Sequence, residues 1–173
     1  MFEDMLPLLR LQVVAFPELI LRIVLAMGMA MIIGLDRDSK DKPIDFRAYM
    51  IIAVCSCAIA IAGQEVFASY RDAEDRPHVD LAKIIEGVLT GIGFLGAGAI
   101  IKRGDIVVGT ATGASIWASG ALGLALGFGF YEIATILFLA VTATLVLGGW
   151  YREKFQGVAD KGPNKKDRMN EDQ

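Results

Sequence analysis

Hydrophobic positions along the chain fall into five long blocks separated by short polar stretches. The blocks run from about Glu18 to Leu35, Phe46 to Phe67, Leu81 to Ile101, Thr110 to Phe130 and Tyr131 to Trp150. Each comes close to the roughly 20 mostly apolar residues a helix needs to cross a bilayer. Pro17 and Pro43 stand before the first two blocks, where proline starts a helix without costing a bond. The fourth and fifth blocks nearly touch, which predicts a tight hairpin. The pattern therefore predicts an all-α, polytopic membrane protein with about five transmembrane helices over residues 1–151. A polar tail, 152–173, mixes both charges and is too hydrophilic to build a core.

The third and fourth blocks are unusual in being apolar and crowded with small residues at once. Twelve of the 19 glycines lie between Glu86 and Gly129. In lipid, residues without bulk let helix backbones approach closely, so that dispersion packing replaces the absent hydrophobic drive. Ala111, Ser115, Ser119, Gly123 and Gly127 recur every four residues and line one helical face. Gly87 with Gly91, and Gly109 with Gly113, add two further pairs. These residues predict close helix contacts, within the chain or with other membrane proteins or a second copy. Gly91–Gly96 also spells GxGxxG. The flanks are continuously apolar and the position about 20 residues on is not acidic, so the dinucleotide reading fails.

Composition agrees: 54% of residues are hydrophobic and the mean hydropathy is +0.50. A net charge of -3 leaves no global basic surface, which argues against nucleic acid as a partner. The cations are segregated instead. Twelve of the 17 Lys and Arg follow the first, third and fifth blocks, and four lie on the other side. Cytoplasmic loops retain positive charge, which predicts the N-terminus outside and the C-terminus in the cytoplasm. Met1-Phe2-Glu3-Asp4 lacks the positive start of a secretory signal, so it is expected to be retained. Cys55 and Cys57 lie about 200 degrees apart on a helix and cannot bridge within it.

Ionisable groups inside spans are costly and each needs a reason. Arg22 and Glu86 both lie roughly 6 to 8 Å below the outer boundary if their blocks are helices. They could form an intramembrane ion pair shared with Glu18 one turn before Arg22, or Glu86 could be an ion site. Glu18, Glu65, Glu86 and Glu132 together make a negative outer rim that could attract a hydrated Mg²⁺. On the inner side, Asp36, Arg37, Asp38, Asp41, Asp45 and Arg47 suggest a salt-bridged turn. His78 between acidic neighbours reads as a solvated outer-loop residue. Trp150, Tyr151 and Tyr131 fit interfacial belts, while Trp117, nearer mid-membrane, reads as packed between glycine-rich faces.

Ile33-Gly-Leu-Asp-Arg-Asp38, Arg47 opening the second block, Gly91-Ile-Gly-Phe-Leu-Gly-Ala-Gly98 and Thr110-Ala-Thr-Gly-Ala-Ser-Ile-Trp117 together resemble the MgtC/SapB family of bacterial inner-membrane proteins. The resemblance covers about residues 18 to 145. It implies a polytopic helical domain linked to growth at low magnesium and to survival inside host cells, with regulation of other membrane proteins as one reading of its role. It places the family signature on Asp36, Arg37, Arg47, Gly91, Gly93, Gly96, Gly98 and Trp117. The family usually has Glu at the place of Asp36, and an uncharged polar residue at that of Glu86.

Two functions follow as expectations. The first is a non-enzymatic inner-membrane protein in magnesium or ion stress, binding other membrane proteins through glycine-faced helices. The second is a small transporter or channel for Mg²⁺ or protons, with Glu86 as its site. An enzyme has least support, since no nucleophile-base pair, metal-ligand cluster or phosphate loop appears, and no cofactor is expected.

Overall fold

Proline, aspartate and glycine between the apolar blocks set where the helices begin and end. The computed structural model describes residues 11–39, 44–70, 80–104 and 106–156, without the side chains of Arg103, Arg152, Glu153, Phe155 and Gln156. Within them run α1 (Phe16–Asp38), α2 (Phe46–Ser69), α3 (Leu81–Gly98), α4 (Thr110–Gly127) and α5 (Tyr131–Gln156). Pro17 lies in the first turn of α1. Asp45 and Asp80 cap α2 and α3, their carboxylates accepting from the backbone N–H of Arg47 and Ala82, each at 2.9 Å. His78 and the 157–173 part of the tail lie outside the described residues.

Helix ends differ from the hydropathy pattern by two or three residues in α1, α2 and α4, and two further boundaries change the picture. The third helix ends at Gly98 rather than Ile101, and the chain then forms a short antiparallel hairpin, β1 (Ile101–Arg103) and β2 (Ile106–Val108). Ile101 pairs with Val108, Lys102 with Val107 and Arg103 with Ile106. β-Branched residues at both ends favour strands, which a hydropathy pattern cannot distinguish from helix over so few residues. Gly109 closes the hairpin at φ 90° and caps α4, so it does not extend a helical glycine pair with Gly113. The other difference is α5, which continues to Gln156, past the expected limit near Trp150.

The hairpin between α4 and α5 is as tight as predicted. The N–H of Phe130 donates to the Ala125 carbonyl at 2.8 Å and that of Gly129 to Leu126 at 3.0 Å. Gly129 has φ 81°, so this is a Schellman ending with glycine in the left-handed position.

At the centre is α4, which packs against every other helix. Its small residues explain why. A Cβ built on Gly123 would fall on the Ala53 carbonyl oxygen, and one on Gly127 would lie 2.5 Å from that of Cys57. On the other flank a Cβ on Gly113 would lie 2.5 Å from the Gly96 carbonyl oxygen. The backbones of α2 and α3 thus approach α4 to a distance only glycine permits. The face that α1 turns inward is a single stripe, Arg22, Ala26, Ala30, Ile33, Gly34 and Arg37. By contrast α3 buries only Ile92 and Gly96, and α5 is buried chiefly at Ala134.

Apolar side chains cover the outside, among them Ile51, Phe94, Ile136 and Leu147. Among the described residues four helices are long and apolar enough to cross a membrane: α1, α2, α3 and Tyr131–Tyr151 of α5. The glycines, serines and threonines of α4 lower its hydropathy, yet it is as long as α3 and more deeply enclosed. The fold is that of an all-α, multi-pass membrane protein.

Candidate functional site

Polar chemistry concentrates at the two ends of the bundle, and α1 places a buried arginine at each. Arg22 and Arg37 lie on the same stripe of α1, separated by roughly 22 Å at 1.5 Å per residue.

At the first end, Arg22 closes the C-terminus of α4. Its Nη1 donates to the Gly127 carbonyl at 2.6 Å, which also accepts from Gln64 Nε2 at 2.7 Å. Nη2 donates to Glu18 Oε1 at 2.5 Å, and Nε donates to the Tyr131 hydroxyl at 3.3 Å. That hydroxyl in turn donates to Glu18 at 3.3 Å. A cation at the carbonyl end of a helix complements its dipole and satisfies a carbonyl left without an intrahelical partner. Gly129 makes room for it, since a Cβ there would lie 2.8 Å from Arg22 Nη2.

The expected pairing of Arg22 with Glu86 is corrected here. Glu18 lies one turn away on the same helix and occupies the guanidinium, whereas Glu86 is exposed on α3. Nor do the outer carboxylates converge. Glu65 binds the chain before α1, accepting from the backbone N–H of Gln12 at 2.6 Å and of Val14 at 2.9 Å, and Glu132 is exposed. Among the described residues no group of three His, Cys, Asp or Glu side chains could hold a metal ion.

At the second end, Arg37 is buried against Asp36 at 2.5 Å. Asp45 accepts from Arg47 through both Nε and Nη2. The Arg47 guanidinium beside it, aided by the backbone N–H, holds the Asp45 carboxyl below its ordinary value. Tyr49 and Thr112 are fully buried. Of the salt-bridged turn that the sequence suggests, the pairs Asp36–Arg37 and Asp45–Arg47 are present, while Asp41 lies outside the described residues.

Between the two ends the interior is closed by small side chains. The hydroxyls of Ser56, Ser115 and Ser119 donate to carbonyls one turn back on their own helices, at 2.8, 2.7 and 3.0 Å. The four-residue ladder is therefore used inside the chain from Ser115 to Gly127, and Ala111 alone is exposed. This corrects its reading as a surface for partners. Trp117 is likewise not wedged between glycine faces: it is half exposed, on the stripe of α4 that also carries Ala111 and Ala114. Of the four signature glycines, Gly96 is in backbone contact, while Gly91, Gly93 and Gly98 have open space around them.

The sequence profile of the MgtC family matches residues 23–154, from the middle of α1 almost to the end of α5. The chain belongs to the MgtC family. An uncharacterized protein of Haemophilus influenzae is 35% identical over 140 residues, 78% of this chain and 59% of its own length. Protein SapB of Bacillus subtilis is 35% identical over 130 residues, covering 73% and 55%. The putative magnesium transporter YhiD of Escherichia coli K12 is 32% identical over 139 residues, covering 80% and 63%. The chain thus spans less than two thirds of the length of these relatives. No solved structure matches it.

Sequence reasoning missed Tyr131, Gln64 and the Gly127 carbonyl as partners of Arg22. Tyr131 lies 109 positions away, and its block-end position suggested only an interfacial aromatic. A polar Gln64 inside the second block was the available signal.

Proposed function

We propose that this MgtC-family chain is a non-enzymatic protein of the bacterial inner membrane. It has its N-terminus outside and C-terminus in the cytoplasm, and acts in adaptation to magnesium or ion stress by helix contact with other membrane proteins. The observation that carries this reading is the division of the glycines. Those of α4 are consumed in the bundle, whereas Gly87, Gly91 and Gly98 of α3 have nothing within 4 Å of a built Cβ. Open glycines at i, i+4 and i+11 on a span permit close approach by another helix. The magnesium connection comes from the name of one relative, a putative magnesium transporter in Escherichia coli.

The test is rescue of growth at low Mg²⁺ in a strain lacking its own copy. Wild type is expected to rescue, and Gly91→Leu to fail at equal abundance and thermal stability. Rescue by Gly91→Leu would remove the α3 face from the mechanism.

Transport is the second reading, favoured by the name of the Escherichia coli relative. It assigns the ion to Glu86, on the outside of the bundle rather than on a path through it. Mg²⁺ flux into liposomes holding the pure protein, lost in Glu86→Gln, would establish this reading and displace the first.

A further inference from the structure

The outer flank of α1 and α2 carries a groove that the bundle does not fill. It is an open groove of about 370 Å³, lined by Met27, Arg47, Met50, Ile51, Val54 and Cys55. Five of these six are apolar, counting the free thiol of Cys55 as a small hydrophobe. The sixth, Arg47, lines it through hydrocarbon alone, and its guanidinium lies outside the lining.

Arg47 is in the first turn of α2, where the span meets the polar boundary, and its side chain is 74% exposed. Asp45 takes Nε and Nη2. Nη1 carries no hydrogen bond among the described residues. A planar guanidinium with a free edge suits a phosphate oxygen. From Arg47 the groove follows α2 to Cys55, eight residues or roughly 12 Å at 1.5 Å each. One leaflet of the hydrocarbon core is about 15 Å deep, half of the ~30 Å total.

We propose that this groove binds a membrane phospholipid, with one acyl chain against Met27, Ile51 and Val54 and the phosphodiester on Arg47 Nη1. Three features favour a lipid over a protein helix. The groove's length fits within one leaflet, and the exposed Arg47 guanidinium stands at headgroup level beyond its apolar lining. Two unbranched methionines in the wall adapt to a flexible chain. The inference rests on α1 and α2 spanning a bilayer and is independent of what binds α3.

The test uses the full chain in detergent, with dioleoylphosphatidylglycerol as the probe and dioleoylglycerol as its phosphate-free counterpart. Native mass spectrometry reads the adduct, and maleimide labelling of the exposed Cys55 reads occupancy; Cys57 is buried. Wild type is expected to keep one phospholipid and to label more slowly when it is present. Arg47→Gln should weaken binding about tenfold, the scale of one hydrogen bond to a charged group. It should leave dioleoylglycerol binding unchanged. Val54→Trp should fill the groove and abolish the adduct, whereas Ile136→Trp on lipid-facing α5 should not. Equal adducts in wild type, Arg47→Gln and Val54→Trp would overturn the proposal. So would slow labelling of Cys55 in a lipid-free oligomer, which would make the occupant a second copy. Arg47 is on the surface, so its variant remains informative even if Val54→Trp fails to fold.

Discussion

Gly123 and Gly91 belong to neighbouring helices of similar composition, and their surroundings are opposite. At Gly123 a side chain would meet the Ala53 carbonyl and Ser56; at Gly91 it would meet open space. Both fit small-residue spacings, so the pattern does not separate them. The difference teaches that a small-residue pattern identifies helices able to approach closely, while the number of packed neighbours decides whether they have done so. With neighbours on every flank α4 uses its ladder; α3 lies at the edge and keeps Gly87, Gly91 and Gly98 in reserve.

The sharpest way to break this comparison is to substitute both positions alike. Gly123→Val should destabilise the detergent-solubilised protein by ~1 to 3 kcal/mol or more, since overpacking here meets backbone. The paired Gly91→Val is expected within ~0.5 kcal/mol of wild type, as for an unconstrained surface site. A thermal unfolding series measures both, and equal losses would erase the distinction between α3 and α4.

A smaller effect is expected at the end of α4. Arg22→Gln removes the charge opposite Glu18 and weakens the bond to the Gly127 carbonyl, an expected loss of ~1 to 3 kcal/mol. Glu86→Gln should leave the melting temperature unchanged, because Glu86 is exposed and does not take the guanidinium. A double-mutant cycle sharpens this: coupling is expected between Arg22 and Glu18, and none between Arg22 and Glu86. Measurable coupling across the latter pair would restore the ion pair that the sequence suggested.

The smallest effect concerns Asp45, at the open end of α2. Its carboxyl is held below the ordinary value of 3.8 chiefly by the Arg47 side chain. A depressed folded value means that the unfolded state takes up the proton first as pH falls. The contribution is thus complete above about pH 5, is lost as pH falls through the folded value, and is absent below it. Asp45→Asn should flatten this part of the stability-pH curve. An unchanged acid limb would mean that Arg47 does not stabilise the ionised carboxyl.

Much of the site was legible at the level of residue type. Arg22 stood out because a cation inside an apolar block must be compensated, and Glu18 was in reach at i-4. The choice between Glu18 and Glu86 was not legible, since equal depth in a membrane says nothing about which helices are neighbours. Tyr49 gave no sign of being fully buried, for a tyrosine early in a span reads equally well as interfacial. The β hairpin was hidden for a related reason: Lys102, Arg103 and Asp105 read as a short charged connection between two blocks, and only Gly104 and Gly109 marked turns.

Read alone, the sequence determined that this is a membrane bundle of about five helices, where most of them begin, that small residues let some pack closely, and which family it resembles. These follow from local causes: runs of apolar residues, caps, prolines, and the absence of a side chain at glycine. Only the tertiary structure decided that α4 is the centre, that its ladder is spent on α2, that Arg22 closes α4 with Glu18 and Tyr131, and that α1 and α2 leave a groove beside Arg47. Each depends on which helix stands beside which, and helices with nearly uniform apolar surfaces carry little of that information in their order along the chain.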